Sequence, residues 1–318
     1  MIRLAIVSPC YNEEAVLEQA AGKIAEVMKS LIAKGKIAGD SFVLYVNDGS
    51  QDATWDIITR LYEQGNMFYG ISLAQNVGHQ NALMAGMMTA RTMADAVITM
   101  DCDLQDDVNA IEEMIDKHSG GGADIVFGVK VSRDADSRRK RYSAELYYKA
   151  LKAMGVKTVY NHADFRLLSR RVLDTLALYP ERNLYLRGLI TSLGYKTSTV
   201  DDVIQPRLAG ESKYTLRKMI RLACDGITSF STRPIELIIT AGLAMMFIAL
   251  CMFVYVIASI CMQHYTAGWA SLMMSLWFIG SVVTIAIGIV GIYIGKIYME
   301  VKRRPLYTIA QKLIKDNV

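Results

Sequence analysis

Two long runs without a charged residue, residues 237–262 and 269–295, constrain the fold of this chain more than any other feature. Each run exceeds the roughly 20 apolar residues that a helix needs to cross about 30 Å of hydrocarbon. Because backbone polar groups must be satisfied within the bilayer, both runs are predicted to be helices. The linker of residues 263–268 has no Asp, Glu, Lys or Arg, so we expect a transmembrane hairpin. A buried hairpin in a soluble protein is the less favoured alternative.

Basic residues flank both runs and predict the orientation of the chain. Arg217, Lys218, Arg221 and Arg233 precede the first run, and Lys296, Lys302, Arg303 and Arg304 follow the second. Positively charged residues close to membrane spans remain on the cytoplasmic side. We therefore expect a multi-pass protein of the inner (plasma) membrane. Its expected parts are a cytosolic catalytic domain of residues 1–211, an amphipathic interfacial helix of residues 212–233, two transmembrane helices within residues 234–300 and a basic cytosolic tail of residues 301–318.

Composition narrows the class of protein. The net charge of +4 is too small to indicate a nucleic-acid partner. The five cysteines lack metal-ligand spacing, which favours reduced cytosolic thiols over a disulfide framework. His79, His118 and His162 have no partner pattern and are not predicted to be ligands, although His79 follows a strand end and is the one for which a ligand role stays open. Gly288, Gly291 and Gly295 would suit a homo-oligomer, but glycine is common in membrane helices and does not decide the oligomeric state.

Short apolar runs alternate with helical patterns in the N-terminal part of the chain. Strands are predicted at residues 4–8, 42–46, 67–73, 96–100 and 124–128, and helices at residues 13–33, 54–64, 78–93 and 108–118. Such alternation predicts an α/β fold with a mostly parallel sheet covered by helices on both faces. Ligands of these sheets bind at the carboxyl ends of the strands.

Polar residues stand at those ends. The segment of residues 8–13 follows the first strand and lacks the glycine-rich turn of a dinucleotide-binding fold. Asp48 ends the second strand, where it could accept hydrogen bonds from a base or a ribose, or form a plain Asx-turn. Five acidic or amide side chains follow the fourth strand, within residues 101–107. Because crowded carboxylates are costly, we expect a cation or ligand hydroxyls at this edge.

The segment after the fourth strand favours a divalent cation. Asp101 and Asp103 are expected to continue the strand, and residues two apart then point the same way. Two carboxylates, with the carbonyl of Gln105, suit Mg²⁺ or Mn²⁺ bridging substrate phosphates. Asp106 and Asp107 fit N-cap positions of the next helix. Because D-x-D is short and frequent, solvated side chains remain the alternative for Asp101 and Asp103.

Two later segments could contact an acceptor or phosphate. Asp164 and Arg166 are predicted to lie together in an extended segment, either at the cleft or as a structural ion pair. Asp164 could then be a general base or orient an acceptor phosphate. Arg207, Ser212 and Lys213 surround a glycine and could grip phosphate oxygens, or form a basic loop near lipid.

Five motifs occur in an order that can be compared with known families. They are Pro9-x-Tyr11-Asn12-Glu13, Asn47-Asp48-Gly49-Ser50, Asp101-x-Asp103-x-Gln105, Asp164-Phe165-Arg166 and Arg207-x-x-Gly210-x-Ser212-Lys213. This ordered set resembles the family-2 glycosyltransferases that act on polyprenyl phosphates, above all the bactoprenol glucosyltransferases, which are related to dolichol-phosphate mannosyltransferase. Residues 225–231 and 291–302 also resemble that subgroup. The chain departs from the pattern at Gln75, where relatives often have Arg, and at Asp107, where many have Pro.

The resemblance implies a nucleotide-sugar fold of the GT-A type. By this resemblance, the nucleotide would be held by Pro9, Tyr11, Glu13 and Asp48. Mg²⁺ or Mn²⁺ and the diphosphate would lie at Asp101, Asp103 and Gln105. The acceptor would face Asp164 and Arg166, and phosphates would be bound by Arg207, Ser212 and Lys213. The implied reaction is inverting transfer of a sugar from a nucleotide sugar to undecaprenyl or another polyprenyl phosphate at the cytosolic membrane face. UDP-glucose and UDP-N-acetylglucosamine are the donors that the resemblance favours.

The chemistry of such an acceptor predicts which side chains matter most. A phosphate monoester is largely deprotonated near neutral pH. Asp164 is therefore expected to organise the acceptor first and to accept a proton second. The leaving nucleoside diphosphate develops charge, which a metal at Asp103 would offset as a Lewis acid.

Two other functions stay open at this point. A polysaccharide synthase would usually have more membrane helices and a Q-x-x-R-W-type motif, and the sequence has neither. A non-catalytic, membrane-anchored protein that binds sugar nucleotides or acts as a scaffold would have little reason to keep the acidic residues together. Metal-dependent transfer or hydrolysis of a labelled sugar nucleotide would separate these functions.

Overall fold

The computed structural model describes residues 1–65, 67–130, 162–203, 228, 232–261 and 268–315. Elements are numbered along these residues. The strands are β1 Leu4–Cys10, β2 Phe42–Asn47, β3 Phe68–Leu73, β4 Ala96–Thr99, β5 Ile125–Lys130, β6 His162–Ser169, β7 Thr197–Asp202 and β8 Ile309–Leu313. The helices are α1 Leu17–Ala33, α2 Thr54–Gln64, α3 His79–Ala90, α4 Ala110–Ser119, α5 Arg170–Leu176, α6 Leu186–Ser192, α7 Arg233–Cys261 and α8 Trp269–Lys302.

All eight strands form one mixed sheet in the order β7-β5-β6-β4-β1-β2-β3-β8. Strand β1 pairs in parallel with β2 and β4, and β2 pairs in parallel with β3. Strand β6 is antiparallel to both of its neighbours, β4 and β5. The carboxyl ends of β1 to β4 therefore share one edge of the sheet, and β6 brings its own start to that edge.

Helices cover both faces of the sheet, as the alternation of strands and helices predicts. Helices α1, α2 and α4 pack on one face in a core that includes Leu17, Ile57 and Ile111. Helices α3, α5 and α6 pack on the other face. The central strands β1 and β2 are buried on both sides along their whole length, which explains why they read as continuous apolar runs.

The five predicted strands and four predicted helices of the N-terminal part are confirmed, with ends that differ by a few residues. The largest difference is at α1, which begins at Leu17 rather than at Glu13, because Glu13 precedes a turn in which its carbonyl accepts from Val16 and Leu17. The short helices α5 and α6 and the strands β7 and β8 were not predicted.

Two long helices follow the sheet, and their apolar side chains are largely exposed. Residues 278–302 of α8 are long and apolar enough to cross a membrane, the one such segment among the residues described. The predicted linker and interfacial helix lie outside the described residues, apart from residues 228, 232, 233 and 268.

Part of the predicted basic tail instead belongs to the sheet. Strand β8, which follows α8, pairs antiparallel with β3 from Gly70↔Leu313 to Leu73↔Ile309. The amide of Ala74 also donates to the carbonyl of Thr308 at 2.9 Å. The strand within residues 301–318 was not predicted, because a strand of five residues gives too short a pattern to stand out beside the charges around it, and the cytosolic position of this tail stays a prediction.

Candidate active site

The residues after β4 form a tight acidic turn. Strand β4 ends at Thr99, and Leu104 has the left-handed φ of 55°. The Asp103 carboxylate accepts the amide of Gln105 at 3.1 Å. The prediction that Asp101 and Asp103 continue an extended strand is therefore wrong, because the chain turns. The turn nevertheless keeps Asp101, Asp103 and Gln105 together at the edge of the sheet.

Asp106 does not cap the next helix. It is 4% exposed, and its carboxylate accepts the amide of Asp101 at 3.2 Å. Burial, followed by the charge of Asp101, raises the pKa of Asp106 well above its usual range. Asp107 accepts the amide of Asn109 at 3.0 Å, just before α4. The N-cap residue of α4 is Asn109, so the N-cap prediction fails for both Asp106 and Asp107. The buried Asp106 instead holds the backbone of the acidic turn through the amide of Asp101.

The electrostatics of the turn fit a bound cation. Desolvation raises the pKa of Asp101, His79 lowers it, and the charges of Asp164 and Asp103 raise it again. About half of the Asp101 side chain remains accessible, so a ligand can reach it. Within the described residues, no group of three or more His, Cys, Asp or Glu side chains is arranged so that it could hold a metal ion by itself. A cation here would need further oxygen ligands, which the phosphates of a substrate supply.

Asp164 lies directly beside this turn because β6 is antiparallel to β4. Thr99 pairs with Arg166, and continuing that register places Asp164 opposite Asp101. The Asp164 carboxylate accepts from Arg166 Nη2 at 2.9 Å and from Arg187 Nη2 at 3.1 Å. His79 Nε2 lies 3.4 Å from Asp164 Oδ2 and 3.6 Å from Asp101 Oδ1. The predicted pairing of Asp164 with Arg166 is confirmed, and two further cations join it.

One hydrogen bond outside the cluster ties the two helices that carry His79 and Arg187. The Gln80 side chain accepts the amide of Leu186 at 2.8 Å, which ties the first turn of α3 to the first turn of α6. His79 precedes Gln80 in sequence, and Arg187 follows Leu186. This hydrogen bond holds the starts of α3 and α6 next to each other, and His79 and Arg187 both reach Asp164 from there.

The charges of this cluster determine its protonation. Burial alone would raise the pKa of Asp164, but Arg187, His79 and Arg166 hold it well below its usual range. Burial disfavours the charged form of His79, yet Asp101 and Asp164 raise its pKa to about 9. Asp164 is therefore ionised and His79 protonated near neutral pH. Arg166 is fully buried, and its Nε and Nη1 have no hydrogen-bond partner within the described part of the chain.

The ends of β1 and β2 form the other side of the candidate site. Pro9 lies in β1, and Tyr11 just beyond it is 39% exposed. The amide of Glu13 donates to the Thr54 side chain at 2.9 Å, which fixes this loop on the start of α2. A cavity of about 490 Å³ adjoins the loop and is lined in part by Tyr11, Trp55 and Gln311. The sheet thus offers an open space beside the predicted nucleotide residues.

Asp48 supports the loop that leads to His79. It is 3% exposed, and its carboxylate accepts the amides of Val77 at 2.8 Å and Gly78 at 3.0 Å. Gly78 has a left-handed φ of 89°, a conformation that favours glycine before a helix. Burial raises the pKa of Asp48, and these two hydrogen bonds oppose the rise. Contact between Asp48 and a nucleotide stays a prediction.

The structure brings together Asp101, Asp103, Gln105, Asp164 and Arg166, while Pro9, Tyr11, Glu13 and Asp48 lie along the adjoining strand ends. Arg207, Ser212 and Lys213 lie outside the described residues. Arg187 was not predicted, because no local pattern distinguishes it. His79 was not predicted to be a ligand, although its position after the end of β3, at the same sheet edge, left that role open.

Comparison with known proteins places this site in a family. The family model described as "Glycosyl transferase family 2" matches residues 5–177, more than half of the chain. The chain is therefore a member of glycosyltransferase family 2. The matched residues carry the whole acidic turn and the Asp164–Arg166 pair, so the family assignment and the site geometry concern the same residues.

Several relatives are similar to the chain over nearly its full length. An uncharacterized glycosyltransferase of Bacillus subtilis is 43% identical over 315 residues, which cover 99% of this chain and 93% of the relative. The SfII prophage-derived bactoprenol glucosyl transferase of Shigella flexneri is 37% identical over 313 residues, which cover 97% of each chain. These alignments extend through the sequence of α7 and α8 as well as that of the sheet.

A solved structure confirms the fold class. The mannosyltransferase PcManGT from Pyrobaculum calidifontis, in complex with GDP-Man and Mn²⁺, is 16% identical and has a TM-score of 0.50. The match covers 94% of this chain and 85% of that one. The predicted GT-A-type α/β fold with a mostly parallel sheet is confirmed, and the chain is a glycosyltransferase with a nucleotide-sugar-binding fold.

Proposed function

We propose that this glycosyltransferase moves a sugar, with inversion, from a nucleotide sugar to a polyprenyl phosphate at the cytosolic face of the membrane. The observation that carries the proposal is the juxtaposition of Asp101 in the acidic turn with Asp164 and its three cationic partners. The acidic side of the site (Asp101, Asp103 and Gln105) suits a metal-bound diphosphate. The cationic side (Asp164 with Arg166, Arg187 and His79) suits an incoming phosphate. The relatives named bactoprenol glucosyl transferases support a polyprenyl acceptor, and their name favours glucose as the transferred sugar.

The cationic side is built to receive an anion. Arg187 and His79 keep 25% and 41% of their side chains exposed, whereas Arg166 is fully buried. The acceptor phosphate would bind the open faces of Arg187 and His79, since charge-assisted hydrogen bonds to phosphate are strong. Arg166 has a different role, because it is buried and orients the Asp164 carboxylate by donating a hydrogen bond to it.

Asp164 organises this side rather than accepting a proton. Its carboxylate already accepts from Arg166 and Arg187, and its low pKa makes it a weak base. A phosphate monoester needs no strong base, because it is largely deprotonated near neutral pH. Asp164 therefore holds Arg187 and His79 in place for the attacking phosphate oxygen.

The acidic side would hold Mg²⁺ or Mn²⁺. Asp101, Asp103 and Gln105 would supply protein oxygens, and the diphosphate of the donor would complete the coordination. A metal bound there stabilises the charge that develops on the leaving diphosphate. The nucleotide would extend toward Pro9, Tyr11, Glu13 and Asp48.

The C-terminal helices give this chemistry access to a lipid. Residues 278–302 can span a bilayer, and α7, with an uncharged run of similar length, would be the second span of a hairpin. The basic flanks would place the sheet in the cytosol. A polyprenyl chain stays in the bilayer with its phosphate at the interface, so the site must stay beside the headgroups.

A reconstitution experiment tests the proposal. The full chain in lipid vesicles would be given radiolabelled nucleotide sugars and undecaprenyl phosphate, with Mg²⁺, with Mn²⁺ or with excess chelator. We expect lipid-linked label from one donor only with metal present. Sugar release without a labelled lipid would contradict the acceptor, and equal transfer in chelator would contradict the metal.

A further inference from the structure

The loop between α5 and α6 presents apolar side chains to solvent. Leu178 is 78% exposed and Tyr179 is 37% exposed. Outside α7 and α8, Leu178 is the most exposed large hydrophobic side chain of the described residues except Met1, which is 88% exposed. Pro180 follows and is exposed as well. The core of the domain does not use these side chains, although burial of apolar surface is favourable.

The same loop is fastened to the end of α8. The Glu300 carboxylate accepts the amides of Arg182 and Asn183, each at 2.8 Å, and the Asn183 side-chain amide at 3.0 Å. The Asn183 side chain also donates to the carbonyl of Lys296 at 3.0 Å. The loop therefore lies along the last two turns of the helix that contains the candidate span.

Chain length then limits how far Leu178 can lie from the membrane boundary. Asn183 touches α8, and Leu178 precedes it by five residues. An extended chain covers about 3.3–3.6 Å per residue, so the two positions are at most roughly 18 Å apart. The headgroup region lies within this range of the end of a spanning helix.

We propose that Leu178, Tyr179 and Pro180 form an interfacial contact with the bilayer surface. This proposal rests on the membrane placement proposed above. Leucine and proline would enter the boundary between headgroups and acyl chains, and tyrosine suits that boundary because one end is apolar and the other polar.

The contact would set the height of the site above the lipid. Arg187 follows Asn183 by four residues, at the start of α6, and holds Asp164. With Leu178 and Tyr179 in the interface and Glu300 on the other side of the loop, α6 cannot rise from the membrane without breaking these contacts. The cations that would receive the acceptor are thereby kept at the level of lipid phosphates.

Depth-dependent fluorescence quenching tests this contact without any measurement of activity. Tyr179→Trp would be placed in the full chain with all three native tryptophans, Trp55, Trp269 and Trp277, replaced by phenylalanine, and reconstituted in vesicles that contain lipids brominated near the headgroup end of the acyl chains. We expect strong loss of fluorescence with brominated lipid and weak quenching by aqueous acrylamide. Lys23→Trp, in α1 on the opposite face of the sheet, is the matched control and should behave in the reverse way.

Two outcomes would overturn the proposal. Acrylamide quenching as strong as in the Lys23→Trp control would show that water surrounds the loop. Protection from both quenchers would show that a protein surface, such as a second copy of this chain, covers it. Failure of sugar transfer would leave the quenching result intact, so the two proposals can fail separately.

Discussion

The acidic turn after β4 and the cluster around Asp164 are neighbours with opposite electrostatic character. In the turn, the charges of Asp164 and Asp103 add to desolvation in raising the pKa of Asp101. In the cluster, a carboxylate with two arginines and a protonated histidine around it has a lowered pKa. A cation bound at the acidic turn would stabilise its ionised carboxylates. The cluster around Asp164 already contains cationic side chains and can receive an anion.

This difference explains how one cleft could bind two phosphorylated substrates without confusing them. A diphosphate with its metal would be attracted to Asp101 and Asp103, whereas a phosphate without a metal would be repelled there and attracted to Arg187. Asp164 lies at the boundary and belongs to the cationic side through its hydrogen bonds. Four substitutions, given in order of decreasing expected effect, would break or sharpen this division.

Asp164→Ala should have the largest effect, because it leaves the fully buried Arg166 without its counter-charge. Removing one partner of a buried ion pair costs about 3–5 kcal/mol of the free energy of unfolding. Denaturant unfolding in detergent would measure the loss. The double variant Asp164→Ala with Arg166→Met should recover much of the stability without recovering transfer. An unchanged unfolding curve for Asp164→Ala would refute the view that this pair holds the cationic side together.

Asp103→Ala should abolish the function of the acidic side while the protein stays folded. We expect turnover to fall by at least about 100-fold, the scale of lost electrostatic stabilisation in other active sites. Initial rates at saturating donor would show it. Asp107→Asn, in the same turn but outside the proposed ligand set, is the matched control and should keep nearly normal turnover. Similar turnover for both variants would refute the assignment of a metal to the acidic turn.

Glu300→Ala should weaken the cationic side from a distance. The loop before Arg187 would lose three hydrogen bonds to a carboxylate, with a cost of about 1.5 kcal/mol, at the low end for bonds to charged groups. The KM for the membrane-embedded acceptor should rise while the dissociation constant of the donor stays constant. Glu300→Gln keeps an accepting oxygen and should restore part of the loss. If the dissociation constant of the donor rose instead, the substitution would have disrupted the whole site and not the cationic side alone.

His79→Gln should have the smallest effect. His79 is 41% exposed, and ion pairs open to solvent contribute only about 0.2–1 kcal/mol. The KM for the acceptor should therefore rise by less than about fivefold, with Arg187 still in place. A loss as large as that of Asp103→Ala would make His79 a principal phosphate ligand and shift the centre of the cationic side toward α3.

The two regions also differ in how far sequence could predict them. Asp101, Asp103 and Gln105 lie within five residues, so their proximity follows from chain connectivity alone. His79 and Arg187 are 108 residues apart in the chain and meet only because α3 and α6 pack on the same face of the sheet. Only the Asp164–Arg166 part of the cationic cluster has a local pattern.

The secondary-structure elements also differ in how far the local sequence predicts them. Strands β1 to β5 and helices α1 to α4 were predicted because each carries a continuous or periodic apolar pattern. Strand β7 has the sequence TSTVDD, with a buried side chain at Val200 and another at Asp202, and propensity does not favour it. Strand β8 depends on an unpaired edge at β3, which a reading of local sequence does not reveal.

That last strand has a consequence for biogenesis. Because β8 follows α8 in the chain, the sheet cannot be completed until the ribosome has made residue 313 and both long helices have left it. Until then β3 is an exposed edge, which in other proteins invites pairing with the wrong chain. A chaperone or the insertion machinery would have to shield that edge during synthesis, and a truncated domain ending before α7 would keep it permanently open.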